Sequence, residues 1–232
     1  MIDFEFPEII AWQRAKALLD AGEIGALRHV VVSWNVENAA TRLRLKSWKT
    51  SRAAGGGVLG NFVCHCLHYL EWFGGPLQGM SARLFSLPGR DRDEESSAAL
   101  AFSFQSGVSG SLTMSCASFA GSGHRLEFYG EDGTIMLINE GADYMRGFRL
   151  LHARRPGALA PVVVKDPLDE GFADGRVAPV ARLASRFIDA ITTGATAMPS
   201  LAEGYRVQQL MEAAQRSHDL GCWLDVTPEP LT

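Results

Sequence analysis

Gly55-Gly56-Gly57-Val58-Leu59-Gly60-Asn61-Phe62-Val63-Cys64-His65-Cys66-Leu67-His68 is the stretch that decides how this chain is read. Three glycines close a polar loop, and an apolar helical run starts straight after them. On a helix, positions i, i+4 and i+7 share one face, so Asn61, His65 and His68 form a polar stripe. Leu59, Phe62, Val63, Cys66, Tyr69, Leu70 and Phe73 surround it. Buried polar groups without partners are costly. The stripe therefore bonds within the core or lines a cavity.

Three chemistries compete for it. The plain one has two histidines and an amide tying the helix to a neighbouring strand, the default for two histidines on an apolar helix. The second is a metal centre, because Cys64, His65, Cys66 and His68 are all ligand types. Cys64 and Cys66 stand about 200° apart on a helix at ~100° per residue, so they do not converge on one ion. Cys64 and His68 give only two ligands, and no metal is expected; a metal-dependent hydrolase built on Cys64, His65 and His68 is the weakest reading. The third is acid–base chemistry, since histidine titrates near neutrality and an adjacent amide can orient its ring.

Outward from this stretch, residues 39–57 carry Arg42, Arg44, Lys46, Lys49 and Arg52 with no acid among them, and Trp48 in their midst. A solvated loop is the ordinary reading of such a run; a binding loop for an anionic group is the sharper one. Toward the N-terminus, Ile2, Phe4 and Phe6 alternate with Asp3 and Glu5, which predicts a strand over 1–6. Pro7 opens a helix that Gly22 and Gly25 end, and Leu27 to Trp34 is a Val-rich strand. After the central helix the period changes to strands at 80–87, 97–105, 108–117 and 124–138, the last folded at Glu131-Asp132-Gly133. Residues 139–176 hold a short strand near Phe148–His152 and a loop expected to be disordered. Two helices follow, Pro179–Thr193 and one opened by a Ser200/Glu203 capping box, then a short strand at Cys222–Val226. Helices at both ends of a run of strands predict an α+β fold: one large, mainly antiparallel open sheet with helices on one face.

Composition narrows the function. At ~150 residues per domain, 232 residues suit one large domain with an attachment. With 47% hydrophobic and 21% charged residues the chain buries a core. Its 22 basic and 26 acidic residues leave a charge of −4, which argues against nucleic acid as a partner. No apolar run reaches the ~18–20 residues of a membrane span. Met1 to Phe6 has no basic or apolar region of a signal peptide. Cys64, Cys66, Cys116 and Cys222 have no framework spacing and read as free thiols in a reducing cytoplasm.

The central stretch resembles the C-terminal domain of the glucose–fructose oxidoreductase / inositol dehydrogenase (Gfo/Idh/MocA) family. That family reads Gly-Gly-Gly, Leu, then Asp, Gly and His at alternate positions. His65 falls on its catalytic His, Asn61 on its usual Asp, Val63 on its usual Gly, and His68 where many members have Asp. Phe6-Pro7 through Gly22-Glu23-Ile24-Gly25 is similar to the family's helix and turn. Phe104 to Val108, Leu126 to Thr134, Ile188 to Gly194 and Pro199-Ser200 with Gly204 follow in the family's order.

The resemblance implies a substrate-binding and oligomerisation domain of an oxidoreductase using NAD or NADP. Its substrate would be a hydroxyl or carbonyl on a sugar, polyol or similar small metabolite. His65 would move the hydroxyl proton, Asn61 would orient it or the substrate, and His68 would line the same pocket. Trp48, Lys49 and Arg52 are further candidates for substrate contacts. Asn is neither a base nor a charge to stabilise an imidazolium, so Asn61 departs from the family's pattern. The chain shows no strand followed by G-x-G-x-x-G and a helix. It reads as a second domain (7–232) preceded by residues 1–6, a strand left from a missing Rossmann domain. It is expected not to bind the cofactor tightly alone, and to form a homodimer or higher oligomer through the open sheet face. A non-enzymatic binding or scaffold module of the same fold is the alternative.

Overall fold

A computed structural model describes residues 1–90 and 94–228. The last four residues of the expected 7–232 unit, and residues 91–93 within it, lie outside the described residues.

One sheet organises the chain. Its strands are β1 (Leu27–Asn35), β2 (Leu77–Ser86), β3 (Glu95–Phe104), β4 (Ser109–Ser115), β5 (Gly123–Gly130), β6 (Gly133–Asn139), β7 (Arg149–Arg154), β8 (Ala160–Val162) and β9 (Leu224–Asp225). They lie in the order β8-β7-β6-β5-β1-β4-β3-β2-β9. Neighbours are antiparallel except β1 and β4, which run parallel from His29↔Ser109 to Asn35↔Ser115. The α+β reading with a large, mainly antiparallel open sheet holds.

Period-2 alternation sets the two faces. Val30, Val32 and Trp34 of β1 and Leu112 and Met114 of β4 point into the core. Helices α1 (Ile10–Asp20), α3 (Cys64–Gly74) and α6 (Leu201–Leu220) cover that face: α1 packs on β6 and β7, α6 on β2, and α3 on α6. The shorter α2 (Ala39–Arg42) and α4 (Pro167–Glu170) sit in connections, and α5 (Val177–Thr193) packs beside the N-terminal segment. The opposite face carries Val31, Ser33, Ala99, Ala101, Ser111 and Thr113. These side chains are small, and half of them are polar.

Helix ends follow local chemistry. Ser200 caps α6: Ala202 N–H donates to its Oγ at 3.1 Å, and Ser200 N–H donates back to Glu203 Oε2 at 2.7 Å. Gly194 and Gly221 end α5 and α6 at φ of 72° and 73°, where side-chained residues are strained.

Two expectations fail. Residues 1–6 form no strand. Ile2 N–H donates to Pro199 O at 2.8 Å, Phe6–Glu8 makes one 3-10 turn with Pro7 near its start, and Phe4 and Phe6 are buried. Alternating apolar residues need only one buried side; here that side meets this chain's own helices, without a ladder partner. The strand expected near Phe148–His152 is β7, but the loop after it is not disordered. Asn139 Nδ2 donates to Asp143 O and Arg146 O at 2.8 and 3.0 Å, and the Arg146 guanidinium grips Asp169 at 2.7 and 2.8 Å. Gly175 N–H closes the segment on Asp143 Oδ2 at 2.9 Å. The polar residues that suggested disorder are spent on internal bonds.

Candidate active site

The decisive stretch enters its helix through a π turn, Leu59–Val63, which runs directly into α3. Such turns carry an extra residue and recur at functional sites. The loop before it folds tightly back. A Cβ on Gly56 would lie 2.0 Å from Trp48 O, and one on Gly60 would lie 2.2 Å from Gly55 O. Only glycine fits at either position.

A cavity of about 520 Å³ opens beside this turn. Asn61, Phe62 and His65 form one wall, and Glu5 and Phe6 come from the N-terminal segment. Trp34 and Val36 come from the end of β1, Lys49 from the basic loop, and Tyr144 from the stapled segment. The sequence-derived candidates therefore divide. Asn61, His65 and Lys49 share this cavity. His68 lies in the wall of a separate cavity of about 430 Å³ with Glu203 and Arg206. The Phe4 ring stacks on His68 at 4.2 Å and meets His65 edge-on at 5.8 Å, so it stands between the two histidines. Trp48 is 57% exposed with Lys49 Nζ 5.7 Å from its ring, and Arg52 pairs with Glu95 at 3.3 Å. Neither Trp48 nor Arg52 lines the cavity.

Asn61 is held by the fold. Its Nδ2 donates to Lys49 O at 2.6 Å and Gly57 O at 2.9 Å. Two carbonyls fix which end of the amide carries nitrogen, leaving Oδ1 as its acceptor toward the cavity. A carboxylate in this place would confront both carbonyl oxygens without a proton to share. Asn61→Asp is therefore expected to destabilise the chain by about 1–3 kcal/mol. The fall in thermal midpoint, followed by circular dichroism, should be larger at pH 8 than at pH 5, because protonation restores one donor. An unchanged midpoint at pH 8 would show that the amide is not needed there.

His65 is 24% exposed at its side chain, with Nδ1 fully buried and lacking a hydrogen bond. Glu5 Oε2 lies 3.7 Å from that nitrogen, within ion-pair reach but beyond a hydrogen bond. Burial holds His65 near 4, so it is neutral at pH 7. Burial also pushes the Glu5 carboxyl up to about 7, with Asp3 adding to the rise, while a backbone hydrogen bond and Arg176 oppose it. Behind them, His124 stacks on Trp34 at 4.3 Å and shares a 2.9 Å hydrogen bond with the Tyr69 hydroxyl. Burial, and then His65, hold His124 near 3, so it is a neutral core residue behind Trp34 and does not itself line the cavity.

The cysteines are thiols here. Cys64 Sγ donates to Gly60 O at 3.0 Å, and burial pushes it up to about 12. Among the described residues no three His, Cys, Asp or Glu side chains are grouped to hold a metal ion. Glu5, Trp34, Tyr144 and His124 were not singled out from sequence. Glu5 alone left a signal there: a carboxylate between two phenylalanines.

An α+β sheet domain whose π turn and helix α3 present His65 to a cavity is the class that fold and site define. Residues 12–136 match the GFO/IDH/MocA C-terminal domain, and the chain belongs to that oxidoreductase family. An uncharacterized oxidoreductase of Synechocystis sp. is 33% identical over 97% of the chain and 64% of its own length. The chain thus spans about two thirds of the length of the curated relative it matches. Its fold is similar to levoglucosan dehydrogenase in complex with NADH, with a TM-score of 0.83, 21% identity, and coverage of 97% of this chain and 65% of that one. It is also similar to an Agrobacterium radiobacter oxidoreductase in complex with NAD+, L-tartaric acid and magnesium, with a TM-score of 0.77, 19% identity, and coverage of 97% and 64%. Among the described residues no helix is long and apolar enough to cross a membrane.

Proposed function

We propose that this chain is the substrate-binding domain of an NAD(P)-dependent oxidoreductase that acts on a hydroxyl or carbonyl of a sugar, polyol or similar small metabolite. The observation that carries this is His65, a neutral imidazole whose Nδ1 is buried while the ring lines the cavity. Neutral imidazole takes a proton from a hydroxyl or, with its other nitrogen protonated, gives one to a carbonyl oxygen. Asn61 Oδ1, Tyr144 and Lys49 add polar groups suited to a polyhydroxylated molecule, and Trp34 and Phe6 supply an apolar floor. The names of the structural neighbours, levoglucosan dehydrogenase with NADH and L-sorbose among them, support that substrate class.

The nicotinamide of NAD(P), when bound, carries the hydride. The described residues do not fit that cofactor. Gly55 to Gly57 follow 3-10 turns rather than a strand, and Gly121 to Gly123 precede β5 rather than a helix. In this reading the cofactor belongs to a preceding dinucleotide-binding domain, to which residues 1–6 connect. Assembly as a homodimer or higher oligomer across the open sheet face is part of the same proposal. Calorimetric titration of the chain with NAD and with NADP should give no micromolar binding. Micromolar binding to the chain alone would contradict this division of labour.

A further inference from the structure

We infer that Glu5 and His65 act as one proton-holding pair, with Glu5 supplying its carboxylate from the N-terminal segment. The inference rests on the oxidoreductase reading for its purpose, though not for its test. Three observations carry it. Asn61 spends both amide hydrogens on backbone carbonyls, and no hydrogen bond joins it to His65 Nδ1. His65 Nδ1 is buried without a hydrogen bond, which is costly unless a partner engages it. The polar side-chain atom found in ion-pair reach of Nδ1 is Glu5 Oε2, 3.7 Å away, and both residues line the same cavity. Hydrogen bonds of this kind are often long before substrate binds.

The pair resolves a difficulty with His65 alone. A buried imidazole that resists protonation down to about 4 is a poor base for a hydroxyl proton at neutral pH. With Glu5 ionised, His65 carries its proton on Nδ1, facing the carboxylate, and Nε2 offers a lone pair to the cavity. When Nε2 takes a hydroxyl proton, the Nδ1 proton passes to Glu5 Oε2. One N–H and one O–H bond form, one O–H and one N–H bond break, and no charge stays on the buried ring. The reverse state, Glu5 protonated and His65 carrying its proton on Nε2, is the acid that a carbonyl needs. Other groups bear on Glu5. Asp3 lies on its own segment, Cys64 on α3, and Tyr144 and Arg176 on the packed C-terminal side. Glu37 and Lys49 also line the cavity.

The test is a nitrogen-15 NMR titration of the histidines in the whole chain, unsubstituted and as Glu5→Gln. In the unsubstituted chain, the His65 proton should sit on Nε2 below about pH 7 and on Nδ1 above it. His68 and His124 should stay neutral through the same range. Glu5→Gln should abolish the switch and leave one tautomer at every pH. Carbon-13 observation of the Glu5 carboxyl in the unsubstituted chain keeps the test independent of the variant's folding: its midpoint should coincide with the His65 switch. A His65 tautomer indifferent to pH, a switch that survives Glu5→Gln, or a Glu5 carboxyl titrating in the ordinary carboxylate range would overturn the pair. None of these readouts needs cofactor or turnover. Loss of the pair would leave the oxidoreductase reading standing on His65 alone, and an enzyme indifferent to His65 would overturn that reading whatever the pair does.

Discussion

Replacing His65 with Asn in the proposed oxidoreductase is expected to lower kcat by about 10²–10⁴-fold, with a much smaller change in KM. That is the usual worth of a positioned proton-transfer group. Asn keeps a polar side chain at the cavity wall but cannot cycle between proton donor and acceptor at neutral pH. An interaction made only in the transition state lowers kcat and kcat/KM together. His68→Asn is the control. His68 stacks on Phe4 and lies in the other cavity's wall, so its loss should leave kcat within about threefold while lowering stability. Steady-state kinetics of both variants with a saturating nicotinamide cofactor decide the matter. Equal losses at the two positions would remove the case for His65.

Phe6→Ala is expected to cost about 3–5 kcal/mol of stability, read by denaturant melting of the chain. Phe6 is 2% exposed, and its ring centroid lies 5.1 Å from Trp12, 5.4 Å from Trp34, 5.6 Å from His65 and 5.5 Å from His124. Truncation empties the middle of that aromatic cluster, where the surroundings collapse only partly. At about 2–4 °C per kcal/mol for a chain of this size, the thermal midpoint should fall by roughly 6–20 °C. The same substitution frees the segment that carries Glu5, so cavity and stability should fail together. A cost below about 1 kcal/mol would mean that residues 1–6 are not integral to this unit.

The sheet was legible because its signals are local. Alternation along β1, β4 and β5, the Glu131-Asp132-Gly133 turn, and the Ser200/Glu203 capping box each depend on neighbouring residues. The short edge strand β8, with Pro161 inside it, gave no such signal. The site was legible only in part, because it converges from distant segments. A regular helical wheel put Asn61, His65 and His68 on one stripe. The π turn over Leu59–Val63 changes the rotation between Asn61 and His65, and Phe4 comes between His65 and His68. Glu5 reaches His65 from sixty residues away in sequence, and His124 reaches Trp34 across the β1–β5 pairing. Such contacts come from tertiary packing, which no spacing rule encodes.

NMR mapping of a polyhydroxylated ligand such as L-sorbose on the chain distinguishes the two cavities. Shifts are expected at the side chains of Asn61, His65, Trp34 and Tyr144, the walls of the cavity beside the π turn. Shifts confined to His68, Trp72 and Arg206 would place the ligand in the other cavity and contradict the proposed site.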